Sequence, residues 1–162
     1  MGRDVAASVQ VDKGTDYFGD FKFRFKFEGT TAGISTYSAP ILLCNIANAT
    51  ANDALLAAEG LYLRFSTNSS QLLTMAIRDF DGNIEDQYNS PSTGTVYYIE
   101  MERAGTTITA KFYSDANFTT LTDSLSITAS SVAYRYLGFG SGEFAAGTGQ
   151  TGYIENLEIL DP

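Results

Sequence analysis

The sequence predicts an all-β fold, a two-sheet antiparallel β-sandwich, and three observations carry that reading. Apolar and polar residues alternate through one short run after another, the period of a half-buried strand. Gly, Asp, Asn and Ser separate these runs at fairly regular spacing, as turns do. Almost nothing reads as helix: only Asn48 to Glu59, Ala- and Leu-rich from Asp53 onward, has the composition for a single helical turn inside a loop. About eleven short strands are expected, in one domain filling residues 1–162, with no linker, repeat or low-complexity block.

Taken in order, Val5 to Val11 is a short strand closed by the turn residues Asp12-Lys13-Gly14-Thr15-Asp16. Phe21 to Glu28 alternates Phe with Lys, Arg and Glu, so one face is core and the other water. Ser38 to Ile46 is apolar at nearly every position, as in a strand covered on both sides or an edge strand beginning at Pro40. From Gly60, Leu61, Leu63 and Phe65 point one way and Tyr62, Arg64 and Ser66 the other. Asn68-Ser69-Ser70 makes the next turn. Leu73, Met75 and Ile77 are the inward set of the following strand, which ends in Asp79-Phe80-Asp81-Gly82-Asn83. A two-residue turn there faces Ile77 with Asp86. A three-residue turn faces Arg78 with Asp86 and Phe80 with Ile84, and is preferred because it keeps an acid out of the core.

Thr95 to Tyr113 is the clearest hairpin. With Ala104-Gly105 as the turn, Met101 faces Ile108, Ile99 faces Ala110 and Tyr97 faces Phe112, all apolar. The other face then pairs Glu102 with Thr107, Glu100 with Thr109 and Tyr98 with Lys111. Ser114 to Asn117 turns into a loop, Leu121, Leu125 and Ile127 mark a short strand, and Val132 to Phe139 is a Tyr-rich one. The glycines from Gly138 to Gly152 make Ser141 to Thr151 an open loop. The last strand, Tyr153 to Ile159, breaks its alternation at Glu155-Asn156, the mark of a bulge.

Composition excludes several function classes. The 162 residues hold 19 acidic and 10 basic side chains, a net charge of -9, which argues against nucleic acid, whose phosphates need clustered Lys and Arg. His is absent, which removes Ser-His-Asp and Cys-His nucleophilic machinery and nearly all zinc sites. Cys44 is alone in an apolar run, so it forms no intrachain disulfide and is expected to be a buried, inert thiol. No stretch reaches the length of a membrane span, and Met1-Gly2-Arg3-Asp4 is not followed by an apolar run of signal-peptide length, so a soluble chain without membrane insertion is expected. Asn-x-Ser/Thr triplets start at Asn48, Asn68 and Asn117 and carry little weight without export.

Asp16-Tyr17-Phe18-Gly19-Asp20-Phe21, the strand from Tyr97 to Arg103 with its hairpin, Phe112 to Asp115, Tyr134 to Leu137 and the closing Gly152 to Leu157 are the pieces with a familiar order. In that order they resemble the concanavalin A-like, laminin-G-like jelly rolls, in particular stand-alone versions found among bacteriophage and environmental sequences. The resemblance implies two curved sheets with the first and last strands adjacent. It does not imply one activity, because such domains include lectins, glycosidases, adhesion modules and virion parts.

Glycosidases on this fold set three acids on one strand face in a pattern like Glu-x-Asp-x-x-Glu. Here Glu100-x-Glu102 is the nearest match, and the third place falls on Ala104. Catalysis is therefore not expected, and Glu155 and Glu158 do not replace the missing acid. No cofactor is required; calcium is the one candidate ion, because Asp79, Asp81 and Asn83 alternate as a calcium loop begins and Asp86 is close. Position 90 is Ser, not the bidentate Glu of an EF-hand. A second acidic cluster is Asp12, Asp16 and Asp20. Glycan binding needs an aromatic platform beside polar groups, and Tyr62, Arg64, Arg78, Tyr98, Lys111 and Tyr113 are the candidate set, on strands expected to lie side by side. The function expected is a non-catalytic, lectin-like module, a virion surface, decoration or adhesion subunit that binds glycans. Its expected partners are other virion or surface proteins and copies of itself, at a virion or extracellular surface. The alternatives are a lectin without a structural role and a glycoside hydrolase of the same fold.

Overall fold

The structure, a computed structural model, describes residues 8–31, 36–47, 60–67, 73–82, 84–89, 92–143 and 151–160. These residues form eleven strands and two antiparallel sheets. The strands are β1 (Ser8–Asp12), β2 (Phe21–Thr31), β3 (Thr36–Cys44), β4 (Leu61–Thr67), β5 (Leu73–Asp79) and β6 (Ile84–Asn89), then β7 (Val96–Ala104), β8 (Thr107–Tyr113), β9 (Leu121–Thr128), β10 (Tyr136–Glu143) and β11 (Thr151–Leu160). One sheet has the order β1-β10-β3-β4-β5-β6 and the other β11-β2-β7-β8-β9. The last strand pairs with β2, while β1 is the edge of the opposite sheet, so the expected adjacency of first and last strands is not made by backbone pairing.

The alternation in β2 does what its pattern dictates. Phe21, Phe23, Phe25 and Phe27 are each at most 2% exposed, while Lys22, Arg24, Lys26 and Glu28 lie on the outer face. Phe21 stacks on Phe23 at 4.8 Å, and Phe27 meets Phe65 of the facing sheet edge-on at 5.2 Å. Burying one such ring contributes about 2 kcal/mol, so this strand alone is a large share of what holds the sheets together. Gly29 lets them approach: a Cβ there would sit 2.4 Å from a ring carbon of Phe65.

Two hairpin registers differ from expectation. The β7–β8 turn is Gly105-Thr106, so Ala104 faces Thr107, Met101 faces Ala110 and Ile99 faces Phe112. The register has moved by two residues, which keeps every side chain on its expected face. Turn chemistry decides it: the first central residue has φ +61, a conformation open to Gly105 and strained for Ala104. The β5–β6 hairpin sets Ile77 against Asp86 and Asp79 against Ile84, the pairing rejected on grounds of burial. Asp86 is not buried there, because β6 is an edge strand. Its carboxylate accepts the amide of Gln87 on its own strand and that of Ser126 on β9, the edge of the other sheet.

Other boundaries shift less. The strand expected at Val132 to Phe139 begins at Tyr136 and runs on to Glu143, so Ser141, Gly142 and Glu143, the first three residues of the loop expected at Ser141 to Thr151, belong to the strand, and Thr151 belongs to β11; residues 144–150 lie outside the described ones. The expected bulge in β11 is present: register slips between Glu155 and Glu158, and Asn156 has φ +55. The helical turn expected within Asn48 to Glu59 and the turn at Asn68-Ser69-Ser70 lie outside the described residues.

The register shift places Arg103 opposite Ile108 on the inward face, 3% exposed. Its guanidinium donates to the carbonyls of Gly105, Ser130 and Val132. From the other sheet Asp79, fully buried, accepts the amide of Ser130 at 2.6 Å and the phenol of Tyr134. The β9–β10 loop is thus held on its carbonyls by an arginine of one sheet and on an amide by an aspartate of the other. Replacing Arg103 with Met leaves three carbonyls without their donor and is expected to lower unfolding free energy by about 3 kcal/mol, read from the urea midpoint. Arg103→Lys should recover little of it, because one ammonium cannot reproduce the planar fork.

Candidate functional site

The six residues expected to form a glycan platform do not share a surface. Tyr62 and Arg64 are on β4 and Arg78 on β5, in the six-stranded sheet, whereas Tyr98 is on β7 and Lys111 and Tyr113 on β8, in the five-stranded sheet. Both sets point away from the core, so they lie on opposite outer faces of the sandwich. The expectation that their strands lie side by side fails because the chain changes sheet between β6 and β7.

On the six-stranded sheet, Tyr62 is only 5% exposed and packs with Leu42, Cys44 and Phe80 in a second, smaller apolar cluster. Its ring lies 4.9 Å from that of Phe80, which also carries the Arg78 guanidinium over its face. Arg64 and Arg78 both reach Glu85, at 3.1 and 3.3 Å. Burial pushes the Tyr62 phenol up, against the pull of both arginines. A phenol so enclosed offers no platform.

The five-stranded sheet does offer one. Tyr98 and Tyr113 are direct cross-strand partners on its outer face, and both are partly exposed. Phe118, from the loop between β8 and β9, leans on them edge-to-face, its centroid 5.5 Å from Tyr113 and 6.2 Å from Tyr98. The Arg24 guanidinium lies over Phe118 at 4.8 Å. Phe118 has φ +56, a strained conformation for a bulky residue. Asp115 fixes it: its carboxylate accepts the amides of Asn117, Thr119 and Thr120 and the hydroxyl of Thr119. The Thr120 amide, foremost, draws the Asp115 carboxyl below its ordinary range. Phe118 and Arg24 were not among the candidates. The one sequence signal for Phe118 was an isolated ring in an Asp-Asn-Thr turn.

Beside the rings stands Glu100, 6% exposed on the outer face of β7. Arg24 grips it with two nitrogens at 2.6 and 2.8 Å, Lys22 lies 3.3 Å away and Lys111 3.9 Å. Burial works to raise the Glu100 carboxyl, but the Arg24 hydrogen bond and the Lys22 ammonium together bring it below its ordinary 4.5. Glu102, on the same face, shares Lys22 at 3.1 Å. The pair expected from Glu100-x-Glu102 is therefore an ion-pair network.

The acidic loop is built differently from a cation cage. Asp79 serves Ser130 and Tyr134, Asp81 accepts the Gly60 amide and the Tyr134 phenol, and Asp86 bridges the two edge strands. Burial, and then Asp79 and Asp81, hold that phenol firmly protonated. Asn83 lies outside the described residues. Among the described residues no three acids, Cys or His converge as metal ligands, and Asp79, Asp81 and Asp86 each accept hydrogen bonds from protein donors. In the second acidic cluster, Asp12 binds Arg135 through both oxygens, which brings its carboxyl down to about 2, and Asp20 accepts the Gly105 amide.

No family model and no curated protein matches the chain. Solved structures do. A legume lectin-like domain from Entamoeba histolytica superposes with a TM-score of 0.65 at 8% identity, over 99% of this chain and 82% of that one. The fold is the concanavalin A-like jelly roll. The enzymatically active domain of tailspike protein 2 from bacteriophage CBA120 gives 0.60 at 14% identity, over 94% of this jelly roll, which spans only 23% of the tailspike chain. The CBM2 module of the evolved Dit of Lactobacillus casei BL23 phage J-1 gives 0.55 at 11%, over 95% and 67%. This jelly roll is therefore similar in shape to lectin-like, carbohydrate-binding and phage tail domains.

The lowered Glu100 carboxyl sets the sign of an acid response. Its contribution is complete above 4.5 and is lost as pH falls from there through its lower native value. Glu100→Gln should cost about 1 kcal/mol at pH 7, a modest sum because its partners are partly solvated. Its stability should then fall less steeply than the wild type as pH drops below 4.5, read from urea midpoints.

Proposed function

We propose that this chain is a non-catalytic, glycan-binding, lectin-like module of a virion or extracellular surface. The observation that carries it is the ring cluster of Tyr98, Tyr113 and Phe118 set beside Lys111, Arg24 and Glu100 on an outer sheet face. Aromatic edges and faces suit the C–H surface of a pyranose, and the charged groups beside them suit its hydroxyls. Support for the ligand class comes from the carbohydrate-binding module and the lectin-like domain of the same shape, and support for the location from the phage tailspike and the phage J-1 module.

The non-catalytic part rests on Glu100. Glycoside hydrolysis needs a carboxylic acid that keeps its proton, with a second carboxylate at a set distance. Glu100 is instead drawn toward the ionised form by Arg24 and Lys22, and Glu102 leans on the same lysine. Enzymes share this shape, so release of reducing sugar from a bound polysaccharide would overturn this part of the proposal.

A glycan array should give positive features that titration confirms in solution. Tyr113→Ala should weaken that binding about tenfold, or about 1.4 kcal/mol, with an unchanged melting temperature. Cosedimentation with capsid or tail particles, set against a monodisperse monomer that ignores them, decides between a virion subunit and a free lectin.

A further inference from the structure

We infer that the ring-bearing face takes a neutral glycan, one without uronate, sialate or sulfate groups. The inference rests on the glycan-binding reading above and adds the ligand's charge. Its basis is the order of charge across the sheet. Backbone pairing sets Glu158, Arg24, Glu100 and Lys111 in one cross-strand row, so the sign alternates from β11 to β8. The neighbouring row runs Glu155, Lys26, Tyr98, Tyr113, an ion pair followed by two rings. On the far side of the charged row, Lys22 stands opposite Glu102.

Among the described residues each basic group on this face already has a carboxylate. Lys26 holds Glu155 at 2.7 Å, Lys22 holds Glu102 at 3.1 Å, and Lys22, Arg24 and Lys111 converge on Glu100. An acidic sugar that drew Arg24 or Lys22 to itself would leave the buried Glu100 short of counter-charge, and that loss opposes binding. The chain's net charge of -9 repels a polyanion before contact. A neutral sugar meets neither obstacle. Lys111, the most exposed of these cations and the farthest from its carboxylate, has donors for one hydroxyl, and the half-exposed Glu102 accepts from another. Tyr98, Tyr113 and Phe118 take the apolar face of the ring, with Phe118 kept in place by Asp115 whether or not ligand is bound.

Native gels cast with galactomannan, xylan or β-glucan, and in parallel with alginate or polygalacturonate, test the inference. Retardation is expected in a neutral gel and not in the uronate gels. The neutral affinity should change by less than about threefold between about 50 mM and 500 mM NaCl, since no net charge is exchanged. Tyr113→Ala and Phe118→Ala should each weaken the affinity read from the retardation by about tenfold, their folding checked by melting. Stronger retardation by the uronates, fading with salt, would overturn the neutral assignment and leave the glycan reading standing. No retardation in any gel would remove the glycan reading and this inference with it.

Discussion

Ser130 is held from both sides, by an arginine and by an aspartate, and the closure of this sandwich depends on it. Arg103 of β7 takes its carbonyl and Asp79 of β5 takes its amide, so the two sheets are tied through one residue of the β9–β10 loop. A buried guanidinium is tolerated only where its donors are met, and the carbonyls of Gly105, Ser130 and Val132 meet them. The same loop then leads to Tyr134, whose backbone pairs with Phe18 and whose phenol reaches Asp79 and Asp81. The apolar core supplies most of the stabilisation, but it is non-directional. These hydrogen bonds fix where the loop crosses from one sheet to the other.

What the sequence made legible is what has a short period. The alternation in Phe21 to Glu28 and in Leu61 to Ser66 named the buried face of each strand correctly, because side-chain direction in a strand is a local property. Register was less legible, since it depends on a turn of two to four residues. Ala104 and Gly105 look alike to a hydropathy pattern, yet only Gly105 accepts the positive φ that the turn needs. Sheet membership was not legible at all. Nothing in Tyr62 or Tyr98 announces that β4 and β7 belong to different sheets, so a platform drawn across both came apart.

The site that replaced it shows the same limit. Tyr98, Lys111 and Tyr113 were found because they lie on the polar face of one hairpin legible from its alternation. Arg24 comes from a strand distant in sequence, and Phe118 is brought in by a loop whose shape is set by one carboxylate. Arg103 was hidden for a related reason: alternation puts it on the face of Ile99 and Met101, but nothing local shows the loop carbonyls that let its charge be buried there. Long-range hydrogen bonds, not hydropathy, determined these placements.

Asp86 carries a consequence for how copies of this molecule can meet. By taking the Gln87 and Ser126 amides, one side chain closes the margins of both sheets where β6 and β9 run past each other. An exposed margin is where strands of separate molecules zip together into fibres, and this one has lost donors such growth would use. The bulge at Asn156 bends β11 on the opposite flank. Growth through the β6–β9 margin would therefore meet fewer free backbone donors than an uncapped edge offers.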